Sequence, residues 1–235
     1  MRQAWWKSGV ALATLVGSYH VAIRPWQVRW GATDEEVAAR LPGDERIAEP
    51  ATQVTRAIDV DAPPEAVWPW LVQLGADRGG FYSYDWLEDL FGLGIHSADA
   101  VVADWQQLAV GDLVAADARR RGGWYVVDLR PGELLALQVA DLRRGRPTSR
   151  ADRPGWEFLW TFALRPTPGG TTRLVVRERV AVGRRTLRLL LTPVGIVSFV
   201  MTRRMLLGLA ARAEAAPLAG GAVTAPPRRS GPPAW

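Results

Sequence analysis

Glu178 and Arg56 are the two ionisable residues whose sequence positions restrict their roles most. In the segment Thr172 to Val182, apolar residues recur at every second position, and Glu178 shares their side of the strand. A carboxylate on a buried face must be paired or have a raised pKa. Arg56 lies on the apolar side of an earlier strand-like segment, which makes it the natural partner. The pair predicts either a structural ion pair or a polar group that anchors a ligand or transfers a proton.

A second group of candidates follows the Gly79-Gly80 joint, where Tyr82, Tyr84 and Trp86 stand close together. Polar aromatic residues beside glycines are typical of the mouth of a small-molecule pocket, although such rings also cap hydrophobic cores. Asp85 shares a helical face with Glu88 or Asp89, and paired carboxylates can do acid–base work. On an exposed helix, however, such carboxylates are usually solvated.

His96 follows a glycine-rich turn and could titrate near neutral pH, but a lone loop histidine is more often structural or exposed. The chain has two histidines and no cysteine, which disfavours a metal centre and rules out disulfides. It shows no nucleophile elbow, phosphate-binding loop or metal-ligand spacing. We therefore expect no metal and no cofactor, and we assign no catalytic residue.

One predicted strand carries a large aromatic face. From Trp156 to Leu164 the chain alternates, with Trp156, Phe158, Trp160 and Phe162 on one side. These rings either fill the core or line a cavity for an apolar ligand, depending on how far the facing helix stands from the sheet. The ten residues predicted to bind a ligand are Tyr82, Tyr84, Trp86, Trp124, Trp156, Phe158, Trp160, Glu178, Arg56 and His96.

Hydrophobic periodicity predicts an α+β domain over residues 51–214. A strand over Thr52 to Val60 precedes a helix that Pro63 and Pro64 begin and Gly75 ends, and a second short helix carries Leu87, Leu90 and Phe91. An antiparallel sheet, covered on one side, should follow, with Arg173, Arg177 and Arg179 outside. A long helix to about Glu214 closes the domain. The predicted strands are Leu113–Ala116, Trp124–Leu129, Leu134–Val139, Trp156–Leu164 and Thr172–Val182.

The two ends of the chain differ in composition from this domain. Between Lys7 and Arg24 lies an uncharged apolar run bracketed by Trp5-Trp6 and Trp26. Aromatic and basic flanks are typical of a membrane interface, so we expect residues 1–29 to form a single-pass anchor. A signal peptide and an amphipathic helix lying on the domain are the alternatives. Residues 30–50, in which Thr33 or Asp34 caps a short helix, should be a linker, and residues 215–235 a disordered tail.

The net charge of +5 and the sequence pI of about 10.3 rest almost entirely on arginine. The arginines of the C-terminal third are scattered between apolar strand residues, with no recognition helix or RNA-binding aromatic motif. We therefore expect no nucleic-acid partner. A basic face resting on anionic lipid fits this distribution better.

The order of an extended segment, a DAPPEAVWPWLVQLG helix and a GGFYSYDWLEDLFGL helix resembles the SRPBCC (START-like, helix-grip) superfamily. It is most similar to the actinobacterial branch labelled polyketide cyclase/dehydrase-like or lipid-transport-like. The closing WEFLWTF, RLVVRERV and FVMTRRMLLGLAARAE resemble the last strands and long C-terminal helix of that group. The resemblance covers roughly Trp30 to Glu214. It implies a helix-grip fold, a curved antiparallel sheet wrapped around a long C-terminal helix, with an interior pocket.

Two functions of different classes fit these observations. The first is binding or transport of a lipid-like or other apolar small molecule by a monomer tethered to a membrane. The second is a polyketide cyclase or dehydratase that uses tyrosine, histidine or carboxylate groups of the pocket. A cavity lined only by apolar side chains favours the first, whereas two titratable groups that converge on one point favour the second. The sequence favours the binding protein.

Overall fold

A seven-stranded antiparallel sheet and a long C-terminal helix form the body of the protein. The computed structural model describes residues 14, 17–86, 92, 94–183 and 185–215. The strands lie in the order β1-β7-β6-β4-β3-β2, and β5 pairs with β4. They are β1 (Thr52–Val60), β2 (Leu113–Ala115), β3 (Gly123–Arg130), β4 (Leu134–Asp141), β5 (Arg146–Pro147), β6 (Trp156–Pro166) and β7 (Thr172–Val182).

Four α-helices accompany the sheet in the described part of the chain: α1 (Arg24–Val28), α2 (Asp34–Ala38), α3 (Pro64–Val72) and α4 (Leu191–Ala215). Pro64 begins α3, where its missing N–H costs nothing. Pro193 is the third residue of α4. It therefore lies in the first turn, where a proline does not interrupt the helix. The α+β class and the helix-grip arrangement of sheet and closing helix agree with the sequence prediction.

The inner face of the sheet packs against α3 and the second half of α4. Apolar side chains from β1, β4, β6 and β7 meet Trp70 and Leu71 of α3 and Met205, Leu206 and Leu209 of α4 in one buried cluster. Alternation along each strand directs these side chains inward, as the sequence predicts. The core therefore lies between the sheet and the two helices.

The outer face of the sheet is also covered, which differs from the prediction of a sheet buried on one side. Residues 30–48, predicted to be a linker, lie across it, and Leu41 and Ala57 pack with Leu134 and Val175 there. Thr33 caps α2 as predicted, in a reciprocal capping box with Glu36. The segment has few apolar residues, so its sequence does not reveal that it packs on the sheet.

Arginines hold this segment in place. Arg177, predicted to lie outside, points to the outer face but is fully buried. Its guanidinium donates to Thr55 Oγ1, to Asp44 and to the carbonyls of Glu36, Val37 and Ala39. Arg179 donates to the Ile47 and Ala48 carbonyls. Arg173 pairs with Glu36 and lowers the pKa of that carboxyl through a side-chain hydrogen bond.

The N-terminal segment joins the domain earlier than predicted. Residues 1–13, 15 and 16, most of the expected anchor, lie outside the described residues. Gln27, inside the predicted anchor range 1–29, is buried against the domain, and Trp30 packs on the core cluster. The described part of the chain contains one helix, Leu187–Ala215, that is long and apolar enough to cross a membrane, and it lies at the C-terminal end. The described residues therefore do not include a membrane-spanning helix at the N-terminal end.

Smaller differences concern element ends. The α3 helix ends at Val72, and Gly75 instead forms an isolated bridge with Gly80. The predicted second helix, with Leu87, Glu88, Asp89, Leu90 and Phe91, lies outside the described residues. So does the predicted tail, apart from Ala215. The strand over residues 52–60 and the strand over residues 172–182 have the predicted bounds.

Candidate functional site

Nine of the ten predicted site residues fall into three groups in the structure, and His96 belongs to none of these groups. Trp124, Trp156, Phe158 and Trp160 lie on β3 and β6 at the inner face of the sheet. Tyr82, Tyr84 and Trp86 follow α3 and meet the second half of α4. Arg56 and Glu178 pair on β1 and β7 near the first half of α4, and Glu178 lies directly opposite Trp160 in the β6–β7 register. His96 is exposed and has no contact with the first or third group among those described.

The inner-face aromatic cluster is continuous. The Trp160 ring lies 5.6 Å from Trp124, 6.1 Å from Phe158 and 4.9 Å from Phe162, centroid to centroid. Phe81 stacks on Trp160 at 6.4 Å and meets Trp124 edge-on at 5.9 Å. Sequence reasoning did not select Phe81, although it directly follows Gly80. We call these five residues the inner aromatic cluster: Phe81, Trp124, Phe158, Trp160 and Phe162.

Burial changes along β6. Trp160 is 8% exposed and Phe162 is fully buried, whereas Trp156 is 48% exposed. Phe158 and Trp124 lie between these limits, half-buried. The cluster therefore runs from the core to the surface, which is the course expected of an entrance between sheet and helices.

Two buried polar atoms in this cluster lack partners. The indole Nε1 atoms of Trp124 and Trp160 have no hydrogen-bond partner among the described residues, and neither does that of Trp70 on α3. A buried indole N–H normally donates to an acceptor. The two neighbouring donors thus give an otherwise apolar surface a capacity to bind an acceptor oxygen.

Tyr82 joins this cluster's side of the core to α4. Its hydroxyl donates to the Trp70 carbonyl at 3.0 Å, and burial raises its pKa. Its φ of +54° is unusual for a residue with a side chain. Gly208 of α4 allows the close approach, because a Cβ there would lie 2.4 Å from the Tyr82 carbonyl oxygen. Tyr82 therefore packs between α3 and α4, where it has a structural role.

An open cleft of about 320 Å³ lies on the surface side of Tyr82. Tyr84 and Trp86 border it, and their rings meet edge-on at 6.2 Å. Asp85 accepts hydrogen bonds from the Ser97 backbone and hydroxyl, and Arg212 pairs with Asp99. Trp124, Trp156 and Trp160 are not among its lining residues, which are Tyr82, Ser83, Tyr84, Asp85, Trp86, Ser97, Asp99, Arg204 and Arg212.

The Arg56–Glu178 pair is buried and fully engaged. Arg56 Nη1 donates to Glu178 Oε1 at 2.8 Å, and its Nε donates to the Gln27 carbonyl at 3.3 Å. Ser198 and Thr202 of α4 donate to the two Glu178 oxygens at 2.8 and 2.9 Å. The predicted pairing is confirmed. The spacing of Ser198 and Thr202, four residues apart in an apolar helix, is the signal that could have identified these further partners.

This network connects two strands of the sheet with two helical segments. Gln27 Nε2 donates to the Gly195 carbonyl at 2.8 Å, and the Tyr19 hydroxyl donates to Gln27 Oε1 at 2.8 Å. The charged pair therefore joins β1 and β7 to α4. It also joins them to the N-terminal helix, which comprises the helical segments Tyr19–Ile23 and Arg24–Val28. Both Glu178 oxygens accept hydrogen bonds from this chain, as in a structural ion pair.

Among the described residues, three groups capable of proton transfer are each held by protein partners. Glu178 is bound to Arg56 and two hydroxyls, Asp85 to Ser97, and Tyr82 to a backbone carbonyl. No group of three or more histidine, aspartate or glutamate residues in the described ranges could hold a metal ion. The inner aromatic cluster presents aromatic surface and two indole donors, whereas the open cleft beside Tyr82 presents charged and hydroxyl groups.

Comparison with known proteins reveals likeness in three dimensions only. No family model matches the sequence, and no curated protein matches it either. Protein MLL2253 from Mesorhizobium loti is 18% identical, with 68% of this chain and 96% of that chain covered and a TM-score of 0.39. Truncated norcoclaurine synthase from Thalictrum flavum is 13% identical, with 68% and 91% covered and a TM-score of 0.40.

DynU16, a putative protein in the dynemicin biosynthetic locus, is 14% identical with a TM-score of 0.39. The match covers 66% of this chain and 46% of that one.

Proposed function

We propose that the protein binds an apolar small molecule carrying a hydrogen-bond acceptor, and that the inner aromatic cluster holds it. The observation that carries the proposal is the pair of buried, unpartnered indole N–H groups of Trp124 and Trp160, whose rings lie 5.6 Å apart. Flat aromatic surfaces bind apolar molecules by dispersion and solvent exclusion, and the two donors orient an oxygen. A carbonyl, ester or ether of a lipid-like molecule has this chemistry.

Two further observations support a binding role. The cluster passes from the buried Phe162 to the half-buried Phe158, and the exposed Trp156 adjoins it outside the cluster, so a ligand entering from solvent would meet aromatic surface throughout. The ionisable groups nearby are engaged with protein partners and serve the fold. The helix-grip arrangement, in which a sheet faces a long helix, is compatible with a space between the two.

Nile red, a neutral apolar dye with a carbonyl acceptor, provides the test. We expect it to bind with a blue-shifted emission, and we expect Trp160→Phe and Trp124→Phe each to weaken binding about 2–10-fold, the value of one hydrogen bond. Phenylalanine keeps the ring and removes only the donor. Trp156→Phe, on the same strand but half-exposed, is the matched control and should bind as the parent does.

Equal affinity for all four chains would contradict the proposal, because it would locate the dye elsewhere. Native mass spectrometry on protein purified from its own host complements the dye. It should detect a retained apolar molecule in the parent and less of it in Trp160→Phe.

We also propose that the protein is attached to a membrane through its N-terminal segment. The uncharged run between Lys7 and Arg24, with tryptophans near both ends, supports this attachment. Because Gln27 and Trp30 pack on the domain, the attachment ends before them and holds the domain close to the bilayer.

A further inference from the structure

The two halves of α4 have opposite polarity. The second half follows the usual rule and buries Met205, Leu206 and Leu209 in the core. The first half is inverted, because its polar side chains Ser198 and Thr202 point inward to Glu178. Its outward positions are apolar and exposed, and they are Val194, Ile196, Val197 and Val200. These hydrophobic side chains are therefore exposed to solvent and do not contribute to the buried core.

The N-terminal helix enlarges this apolar area. Trp26 meets Phe199 of α4 edge-on at 5.1 Å, and Gln27 donates to the Gly195 carbonyl, so the two helices are in contact. Val21 is 80% exposed, Leu189 is 79% exposed, and Ile23 and Leu190 are more than half exposed. Clustered exposure of this kind marks an interaction site. We call this surface the apolar end face: Val21, Ile23, Trp26, Leu189, Leu190, Val194, Ile196, Val197 and Val200.

The charged side chains near the apolar end face have one sign. The exposed Arg188, Arg203 and Arg204 lie on α4 and the turn before it, and Arg24 lies on the N-terminal helix. From residue 185 to 215 the sole acidic residue is Glu214, near the far end of α4. Two copies of this face brought together would oppose arginine to arginine. An anionic lipid surface would instead attract these arginines, of which Arg203 and Arg204 also lie over the Trp30 and Tyr84 rings.

We propose that the apolar end face docks onto an anionic lipid bilayer. The chain that continues from it toward residue 1 is the uncharged run between Lys7 and Arg24, so the face adjoins the proposed membrane attachment. The proposal rests on that attachment and adds a folded surface to it. Apolar side chains enter the interface, and the arginine side chains reach phosphate groups.

The helix lies at the interface and does not cross the bilayer. Its second half is part of the hydrophobic core, and Thr202 binds the buried Glu178. Moving α4 into a bilayer would expose that core and leave Glu178 and Arg56 without α4. By length and composition alone Leu187–Ala215 could span a membrane, but its packing allows only the first half to be in lipid.

Single-cysteine labelling tests this surface in the full chain, which has no native cysteine. A nitrobenzoxadiazole label on Val197→Cys reports the apolar end face, and the same label on Ala48→Cys reports the outer face of the sheet. Both positions are exposed. Each labelled chain is mixed with vesicles of phosphatidylcholine alone or with phosphatidylglycerol added, and flotation measures binding independently of the label.

We expect the label at position 197 to shift to the blue and brighten with the phosphatidylglycerol vesicles, and the label at position 48 to stay unchanged. Arg188→Gln should raise the lipid concentration at half-response about fivefold, the contribution of one cation near an anionic surface. Since Arg188 is exposed, this variant should fold as the parent does.

Three results would overturn the proposal, and they differ from one another. Flotation with an unchanged label at position 197 would leave the N-terminal attachment intact and remove the surface. Absence of flotation would remove both. A label that shifts without vesicles as protein concentration rises would show that a second copy covers the face.

Discussion

The two faces of the sheet bury different chemistry. The inner face is aromatic and aliphatic, and two indole donors there lack protein partners. The outer face carries arginines, and Arg177 uses its guanidinium fully on five acceptors from residues 36–55. The outer face is thus closed by hydrogen bonds to a segment of the same chain. Buried polar atoms without a partner among the described residues occur on both faces, the indole Nε1 atoms on the inner face and Glu157 Oε1 and Thr161 Oγ1 on the outer face, so the two faces differ in the chemistry of their side chains.

This difference shows that strand alternation alone does not identify the solvent side of a sheet. Alternation correctly separated the arginines of β7 from its apolar residues. It did not reveal that Arg177 is as buried as Leu174. A guanidinium can be buried when backbone carbonyls and a carboxylate satisfy its donors.

The largest expected effect is on the outer face. Arg177→Met should destabilise the protein by about 3–5 kcal/mol, because it removes the guanidinium donors of Asp44 and of three backbone carbonyls in a buried site. Urea denaturation measures the loss, and increased hydrogen exchange in residues 33–48 should accompany it. Arg165→Met, exposed on the neighbouring strand, is the control. A loss equal to that of the control would mean that the segment is held by other contacts.

The inner-face ion pair should give a somewhat smaller effect. Glu178→Gln should cost about 3 kcal/mol, since it leaves Arg56 uncompensated but keeps an acceptor for one hydroxyl of α4. The double change Arg56→Met with Glu178→Leu should recover much of this loss, and adding Thr202→Val should recover more. Full stability of Glu178→Gln would refute the structural role of the pair.

The smallest effect concerns Glu157, a buried carboxyl on the outer face whose pKa is raised by burial. A raised folded-state pKa means that stability falls as pH rises from the unfolded value, about 4.3, through the folded value. Glu157→Gln should therefore increase Tm at pH 7 and leave it nearly unchanged at pH 4. Thermal unfolding at both pH values measures this, with the exposed Glu133→Gln as control. An equal change at both pH values would contradict it.

Much of the fold could be predicted because its signals are local. The period-two patterns of β1 and β7 predicted the first and last residue of both strands, and Pro64 predicted the start of α3. The pairing of Arg56 with Glu178 was predicted from the apolar side of the strand on which each lies, and it requires the adjacency of first and last strands that the resemblance to helix-grip proteins implies. The candidate site was harder to predict, because Phe81 lies on a loop and Trp70 lies on a helix. Their part in it depends on how these elements meet the sheet.

The sequence by itself determined which residues share a face, where strands turn, and which long helix closes the domain. These properties depend on backbone periodicity and on proline and glycine geometry, which a short stretch of chain already contains. Only the tertiary structure decided that residues 30–48 cover the sheet, that Arg177 is buried, and that α4 is inverted over its first half. The first two depend on contacts between residues more than a hundred positions apart, and the third on hydrogen bonds from Ser198 and Thr202 to Glu178 on another element; no local pattern contains such contacts.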